Sequence, residues 1–131
     1  MKESLLHFIW QFQRFSKSEL KTVAGEDLEI LFPGHPNALA GPDFSAAKIY
    51  LDKLYWSGAI ELHVHSSDWF RHGHQTDIAY DNVILHVVWD FDSDVSYPNG
   101  HPIPTLNLSH YVTPATLEMY QNKFLQKPKF I

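Results

Sequence analysis

The sequence predicts an α+β domain in which an N-terminal helix precedes a central mixed β-sheet flanked by helices. Leu5, Leu6, Ile9, Trp10 and Phe12 recur at helical spacing, with Gln11, Gln13 and Arg14 between them. That stripe predicts an amphipathic helix over residues 3–15, docked on the rest of the domain. Short strand-like runs joined by a tight turn follow. Residues 83–90 (VILHVVWD) are then almost continuously apolar, as suits a central strand buried on both faces.

After the first helix, Ser18-Glu19-Leu20-Lys21 predicts a short helical turn and Gly25-Glu26-Asp27 a reverse turn. Residues 28–32 (LEILF) predict a strand stopped by Pro33-Gly34. Residues 35–42 (HPNALAGP) form an irregular loop rich in breakers. Asp43 stands where that loop feeds a strand over residues 44–51. Asp52-Lys53 is the hairpin turn, and a longer strand covers residues 55–65, with Gly58 a bulge or a point of close approach. Ser66, Ser67 and Asp68 offer N-caps for a helical turn over residues 69–74, and an irregular segment runs on to Asn82. Residues 92–100 read as loop and residues 103–112 as one more strand. Thr113-Pro114 opens a final helix with Leu117, Tyr120 and Phe124 on one face. Trp69 and Phe70 are expected in the core, and His7 is expected to pack or cap.

A chain of 131 residues fits one domain, residues 1–131, and can bury about two-thirds of the surface its unfolded form exposes. Hydrophobic residues at 44% and aromatics at 15% exclude a disordered chain. No stretch approaches the roughly 18 consecutive apolar residues of a membrane-spanning helix, so no membrane partner is expected. A formal net charge of −5 and a pI of about 5.9 remove the bulk positive field typical of nucleic-acid-binding domains. Binding of DNA or RNA then needs a local patch or bound cations. Full protonation of the nine histidines would reverse the sign of the net charge. The absence of cysteine excludes disulfides, thiol nucleophiles and cysteine-based zinc sites. The N-terminal stretch lacks the apolar run and cleavage site of a secretory signal, so the cytoplasm is the expected compartment.

The strongest chemical signal is Glu61-Leu62-His63-Val64-His65. Alternate side chains of a strand share a face, so Glu61, His63 and His65 line one side and Ile60, Leu62 and Val64 the other. Three ionisable groups in a row either bind something or form the solvent face of an antiparallel sheet. Gly41-Pro42-Asp43 alone is an ordinary turn start. However, Asp43 stands 18 residues before Glu61, and the chain between them reads as one hairpin. That hairpin brings Asp43 within reach of the partner strand. Two carboxylates held in this way form a hard-oxygen site for Mg²⁺ or Mn²⁺.

Asp68, His72 and His74 form a further cluster, with His86 on the following strand. His72-Gly73-His74 can bring two imidazoles to a metal beside Glu61 and His65, in a zinc-like set with an open position. Alternatively these histidines cap the helix and bond loop carbonyls, the reading preferred for His74 and His86. No GxGxxG, GxxxxGK[ST] or GxSxG pattern is present, so nucleotide-cofactor and serine-hydrolase readings lose support.

The arrangement resembles the PD-(D/E)XK nuclease superfamily, in which a helix precedes a hairpin, Asp opens one strand and Glu-x-Lys lies on the next. Pro42-Asp43 matches the first part and Glu61-Leu62-His63 the second, within roughly residues 3–90. His63 departs from the usual Lys. The resemblance implies a restriction-endonuclease-like core and a metal-dependent nuclease or phosphodiesterase that hydrolyses nucleic-acid phosphodiester bonds. Asp43, Glu61 and His63 would be catalytic, with Asp43 and Glu61 holding Mg²⁺ or Mn²⁺. Apart from the resemblance, the histidine and carboxylate cluster makes His65, Asp68 and His72 an additional site.

The stretches LLHFIWQF, GPDF, GAIELHVHSSDWFRHGH and YDNVILHVVWD are similar to segments of a bacterial family, domain-of-unknown-function family 2851, across almost the whole chain. That family implies no activity. Its members are longer, which implies that this chain is an N-terminal portion or a trimmed form. Two other readings stand beside the nuclease. One is a transition-metal β-fold resembling a cupin, with His63, His65 and His86 as ligands, although the Glu expected after the His pair is missing. The other is a non-catalytic module that binds a partner or supports a C-terminal region.

Overall fold

The computed structural model describes residues 1–125, with side chains through Lys123. Its elements are α1 (Glu3–Gln11), β1 (Leu28–Phe32), β2 (His35–Pro36), β3 (Phe44–Leu51), β4 (Leu54–His65), α2 (Asp68–Arg71), β5 (Val83–Asp90), β6 (Thr105–Asn107) and α3 (Pro114–Leu125). Three short 3₁₀ turns intervene at His74–Thr76, Ile78–Tyr80 and Leu108–Tyr111. The strands form one mixed sheet in the order β1-β3-β4-β5-β6, with β2 paired to β3. β1, β3 and β4 are antiparallel neighbours, whereas β4, β5 and β6 run parallel. Parallel neighbours need a crossover, and α2 with the two turns after it supplies the one between β4 and β5.

The expected α+β architecture is present, and β1, β3 and β5 have the expected bounds. Asp52 and Lys53 both take positive φ, 47° and 68°, as a tight two-residue hairpin turn requires. Gly58 marks a close approach: a Cβ there would meet the Asn82 carbonyl oxygen and Ile84 Cγ2, each at 2.6 Å.

Several local expectations are corrected, among them the loop over residues 35–42, whose first two residues pair with β3 as β2. α1 stops at Gln11 rather than residue 15, because Gln13 turns to φ 53° and its side-chain amide donates to the Trp10 carbonyl at 2.7 Å. No helical turn forms at Ser18–Lys21, because Glu19 sits at φ 55° and Lys21 pairs with Asp27 as an isolated antiparallel bridge. Ser66 and Ser67 do not cap α2, because their hydroxyls donate instead to Asp92 at 2.9 and 2.7 Å. Only Thr105–Asn107 of residues 103–112 is strand; pairing on one side alone does not hold the rest extended, and it tightens into a 3₁₀ turn.

Thr113 does cap α3, its Oγ1 accepting from the Thr116 amide at 3.2 Å. The expected placement of the Phe124 side chain lies outside the described residues.

Two apolar clusters sandwich the sheet. Ile60, Leu62, Leu85 and Val87 face Leu5, Leu6, Ile9 and Trp10 of α1. Alternation turns Ala59, Glu61 and His63 to the opposite face, where Trp69, Tyr80, Val83, Val95 and Ile103 pack. β5 is therefore covered on both sides, as its apolar run requires. Trp69 is buried as expected, but Phe70 is exposed, because on a single helical turn adjacent residues diverge and only Trp69 faces the sheet. Among the described residues no pairing joins β1 to β6, so the barrel of the cupin-like reading is not formed. No helix among them is long and apolar enough to cross a membrane.

Candidate functional site

The site begins at the mouth of the β3–β4 hairpin. Phe44 pairs with Ile60, which sets Asp43 opposite Glu61 on the next rung. The Asp43 amide donates to Glu61 Oε1 at 3.1 Å, and the Leu62 amide donates to Asp43 Oδ2 at 2.9 Å. The backbone of each strand thus orients the carboxyl group carried by the other. His7 of α1 joins this rim, its Nε2 lying 3.7 Å from Asp43 Oδ2.

Imidazoles gather behind Glu61. Glu61 Oε2 lies 2.7 Å from His74 Nε2 and 3.4 Å from His63 Nε2. His63 Nε2 is 3.1 Å from His72 Nδ1, while His63 Nδ1 is 2.7 Å from His86 Nε2. One ligand atom from each of His63, His72 and His74 falls within 4.8 Å of the others. Gly73, at φ 73°, reverses the chain between His72 and His74 so that both rings reach the same point. Aromatic packing fixes the rings. His74 stacks on Tyr80 with centroids 3.7 Å apart, and Trp69 lies edge-on to His74 and His86 at 5.2 Å each. Glu61 and His63 are only 4% and 2% exposed, whereas His72 is exposed, so the cluster meets solvent at His72.

Burial first, and then the charge of Asp43, raises the Glu61 carboxyl well above the usual carboxylate range. Burial, followed by His86, His74 and His72, pushes His63 down to about 2. Burial and then His74 push His86 down to about 3, and burial also lowers His74. Tyr80 is pushed up to about 12, by burial before Glu61 and Asp43. Burial thus favours the neutral forms on both sides of the Glu61–histidine approaches. His74 Nε2 is within reach of Glu61 but out of hydrogen-bond alignment, and among the described residues neither His74 nitrogen nor His86 Nδ1 has a hydrogen-bond partner. A divalent cation would invert this balance. It would ionise Glu61 and accept lone pairs from imidazoles that already lack a proton to shed.

The structure brings together Asp43, Glu61, His63 and His72 from the residues that the sequence singled out. It leaves out His65 and Asp68. His65 ends β4 beyond the cover of Trp69, is exposed, and turns to Asp90 at 3.5 Å. Asp68 accepts from the His65 amide at 3.3 Å and pairs with Arg71. The cupin-like set of His63, His65 and His86 is therefore not assembled.

The sequence favours His74 and His86 as capping the helix and bonding loop carbonyls. Both instead lie in the cluster, because β5 pairs in parallel with β4 and sets His86 beside Glu61. The signal for His86 was a lone histidine in an apolar strand. Tyr80 gave no comparable signal. A cleft of about 770 Å³ lined by Trp56, Ile84 and Tyr97 shares no residue with the cluster.

The chain matches the family described as Protein of unknown function (DUF2851) over residues 3–131. No curated protein and no solved structure matches it.

Proposed function

This chain belongs to the DUF2851 family, and we propose that it is a metal-dependent phosphodiester hydrolase acting on DNA or RNA, with its reaction centre built on Asp43 and Glu61. The observation that carries the reading is the Asp43–Glu61 pair. Two carboxyl groups are fixed opposite each other by two backbone hydrogen bonds, and one is buried with no positive partner. Such a pair suits a divalent cation, since ionised carboxylates this close repel each other when nothing lies between them. The order of helix, hairpin bearing Asp and then Glu, helix and parallel strand supports a restriction-endonuclease-like core.

A cation bound here would neutralise the scissile phosphate and lower the pKa of its water. His63 is held neutral, so it does not copy the fixed positive charge of the superfamily's lysine. Neutralisation of a phosphate then falls to the cation, which also lets an acidic chain tolerate a polyanion.

The test is cleavage of supercoiled DNA, single-stranded DNA and RNA by the untagged chain, stripped with chelator and resupplied with Mg²⁺, Mn²⁺ or Zn²⁺. Cleavage that requires a cation and disappears in Asp43→Ala and Glu61→Ala is the expected result. No cleavage of any polymer with any of these cations would sink the reading and leave the non-catalytic module.

A further inference from the structure

We infer that the cation of this site is a borderline transition metal such as Zn²⁺ rather than Mg²⁺, bound by His63, His72, His74 and Glu61, with His86 as the residue that positions His63. The inference rests on the reading above for its location and for Glu61, but it needs no phosphodiester substrate.

The donor set decides the class of metal. Mg²⁺ takes an octahedron of oxygens and keeps several waters. Here three imidazole donors lie within 4.8 Å of one another, Glu61 Oε2 stands beside two of them, those of His63 and His74, and imidazole suits zinc, iron, nickel and copper. The spacing agrees with that choice. Zinc bonds of about 2.0–2.1 Å in a tetrahedron put neighbouring ligand atoms roughly 3.3 Å apart. Of the six edges among the four donors, His63–His72, His63–Glu61 and His74–Glu61 are 3.1, 3.4 and 2.7 Å, and the histidine donors all lie within 4.8 Å of one another.

His74 supplies an independent observation. It is 8% exposed, and among the described residues neither ring nitrogen has a hydrogen-bond partner. Its Nε2 nevertheless approaches Glu61 Oε2 to 2.7 Å, out of hydrogen-bond alignment. A buried polar ring in that state costs free energy unless a ligand completes it. Two donor atoms aimed at a common third point have this geometry.

The surrounding bonds orient each donor. Glu61 Oε1 is taken by the Asp43 amide, which leaves Oε2 to face the histidines. If His63 Nε2 gives its lone pair to a metal, Nδ1 carries the proton and donates to His86 Nε2 at 2.7 Å. That bond fixes the tautomer and the ring direction, as outer partners of metal-bound histidines do. Exposure of His72 brings solvent to one edge of the site, where water or substrate would enter as a fifth ligand.

The experiment uses the untagged full chain after chelator treatment. Calorimetric titration with Zn²⁺ should give one equivalent, Co²⁺ should give the strong visible absorption of a four-coordinate nitrogen-rich site, and Mg²⁺ should give no saturable binding. His72→Ala and His74→Ala should each weaken Zn²⁺ binding beyond about 100-fold, and His86→Ala by about 10–100-fold. His101→Ala, an exposed histidine outside the cluster, should change nothing. Circular dichroism checks that buried His74→Ala still folds; His72→Ala, at an exposed position, carries the same expectation. Absent Zn²⁺ saturation, undiminished binding in His72→Ala, or Mg²⁺ binding as tight as Zn²⁺ would each overturn the inference. Zn²⁺ binding without any cleavage would uphold it and sink the hydrolase. Mg²⁺-dependent cleavage by a chain that binds no Zn²⁺ would do the reverse.

Discussion

Asp43 and Glu61 hold each other across the hairpin: the Asp43 amide donates to Glu61 Oε1, and Asp43 Oδ2 accepts from the amide of Leu62, the residue after Glu61. Asp43 therefore has a structural task as well as a charge. Asp43→Ala leaves the part-buried Leu62 N–H unpaired, which should cost about 1–3 kcal/mol. Asp43→Asn keeps an acceptor for that amide and should recover most of the loss. Both variants should lack cation-dependent cleavage. Urea unfolding and a cleavage assay on the three proteins separate the two tasks. Equal stability of the Ala and Asn variants would contradict the bond's role.

Glu61 should behave differently with and without metal. In the metal-free chain burial and the Asp43 charge favour its neutral form, to which Glu61→Gln is close to isosteric and isoelectronic. Metal-free stability should change by less than about 1 kcal/mol. The metal response should change far more. Zn²⁺ at 100 times its dissociation constant should stabilise the wild type by about 2.7 kcal/mol, because it binds only the folded chain. Glu61→Gln should lose most of that gain. Thermal unfolding with Zn²⁺ and with chelator measures both quantities.

Asp92 gives the acid limb of stability. Burial pulls its pKa upward, but hydrogen bonds from the Ser67 hydroxyl and amide and the Ser66 hydroxyl outweigh this and hold the carboxyl at about 2. A folded pKa below the unfolded value of about 3.9 means stability that is fully present above pH 4. That stability is lost as pH falls from there through about 2. Asp92→Asn should therefore be less stable than wild type at pH 7, by about 1 kcal/mol because the carboxylate is largely exposed. The difference should shrink toward zero near pH 2. A gap independent of pH would show that the carboxylate charge is not what holds the Ser66–Ser67 corner.

Gly58 tests the packing of β4 on the chain that enters β5. A methyl group there would strike the Asn82 carbonyl and Ile84 Cγ2, each at 2.6 Å, and a backbone oxygen cannot rotate away. Gly58→Ala should cost about 1–3 kcal/mol by overpacking. The unfolding midpoint of this variant reads the effect directly.

The sheet was legible where one force acts alone. Alternation and turn chemistry fixed β1, β3 and the Asp52-Lys53 hairpin, and a continuous apolar run fixed β5. The C-terminal end of α1 and the stretch after Asn107 were not legible, because Gln13 at positive φ and the edge position of β6 are tertiary outcomes. The same division runs through the site. Asp43 and Glu61 could be linked through a hairpin, which is a local structure. His86 joins them only through parallel pairing after a crossover, and His74 only through the turn at Gly73. His65 looked equivalent to His63 by spacing, yet it lies past the edge of the Trp69 cover.

His63→Lys distinguishes the two roles open to this residue. His63 is buried against Trp69, with Glu61 Oε2 3.4 Å from Nε2 and three more imidazoles around it. A lysine would bring a fixed positive charge into the space where the donor atoms converge. The ammonium would ionise Glu61 and pair with it, as a nearby opposite charge favours the charged form. That pair would take the fourth ligand and repel an incoming cation. If His63 is a metal ligand, bound Zn²⁺ should collapse in this variant, and its unfolding temperature should cease to respond to Zn²⁺ or chelator. If His63 merely stands in the lysine's place, Mg²⁺- or Mn²⁺-dependent cleavage should survive. It should also resist acid better than wild type, since lysine stays protonated well above neutral pH. We expect the first outcome, because His72 and His74 offer too few donors to retain zinc beside an ammonium. Metal content and cleavage measured side by side on folded wild type and variant decide it, and zinc retained at one equivalent would exclude His63 as a ligand.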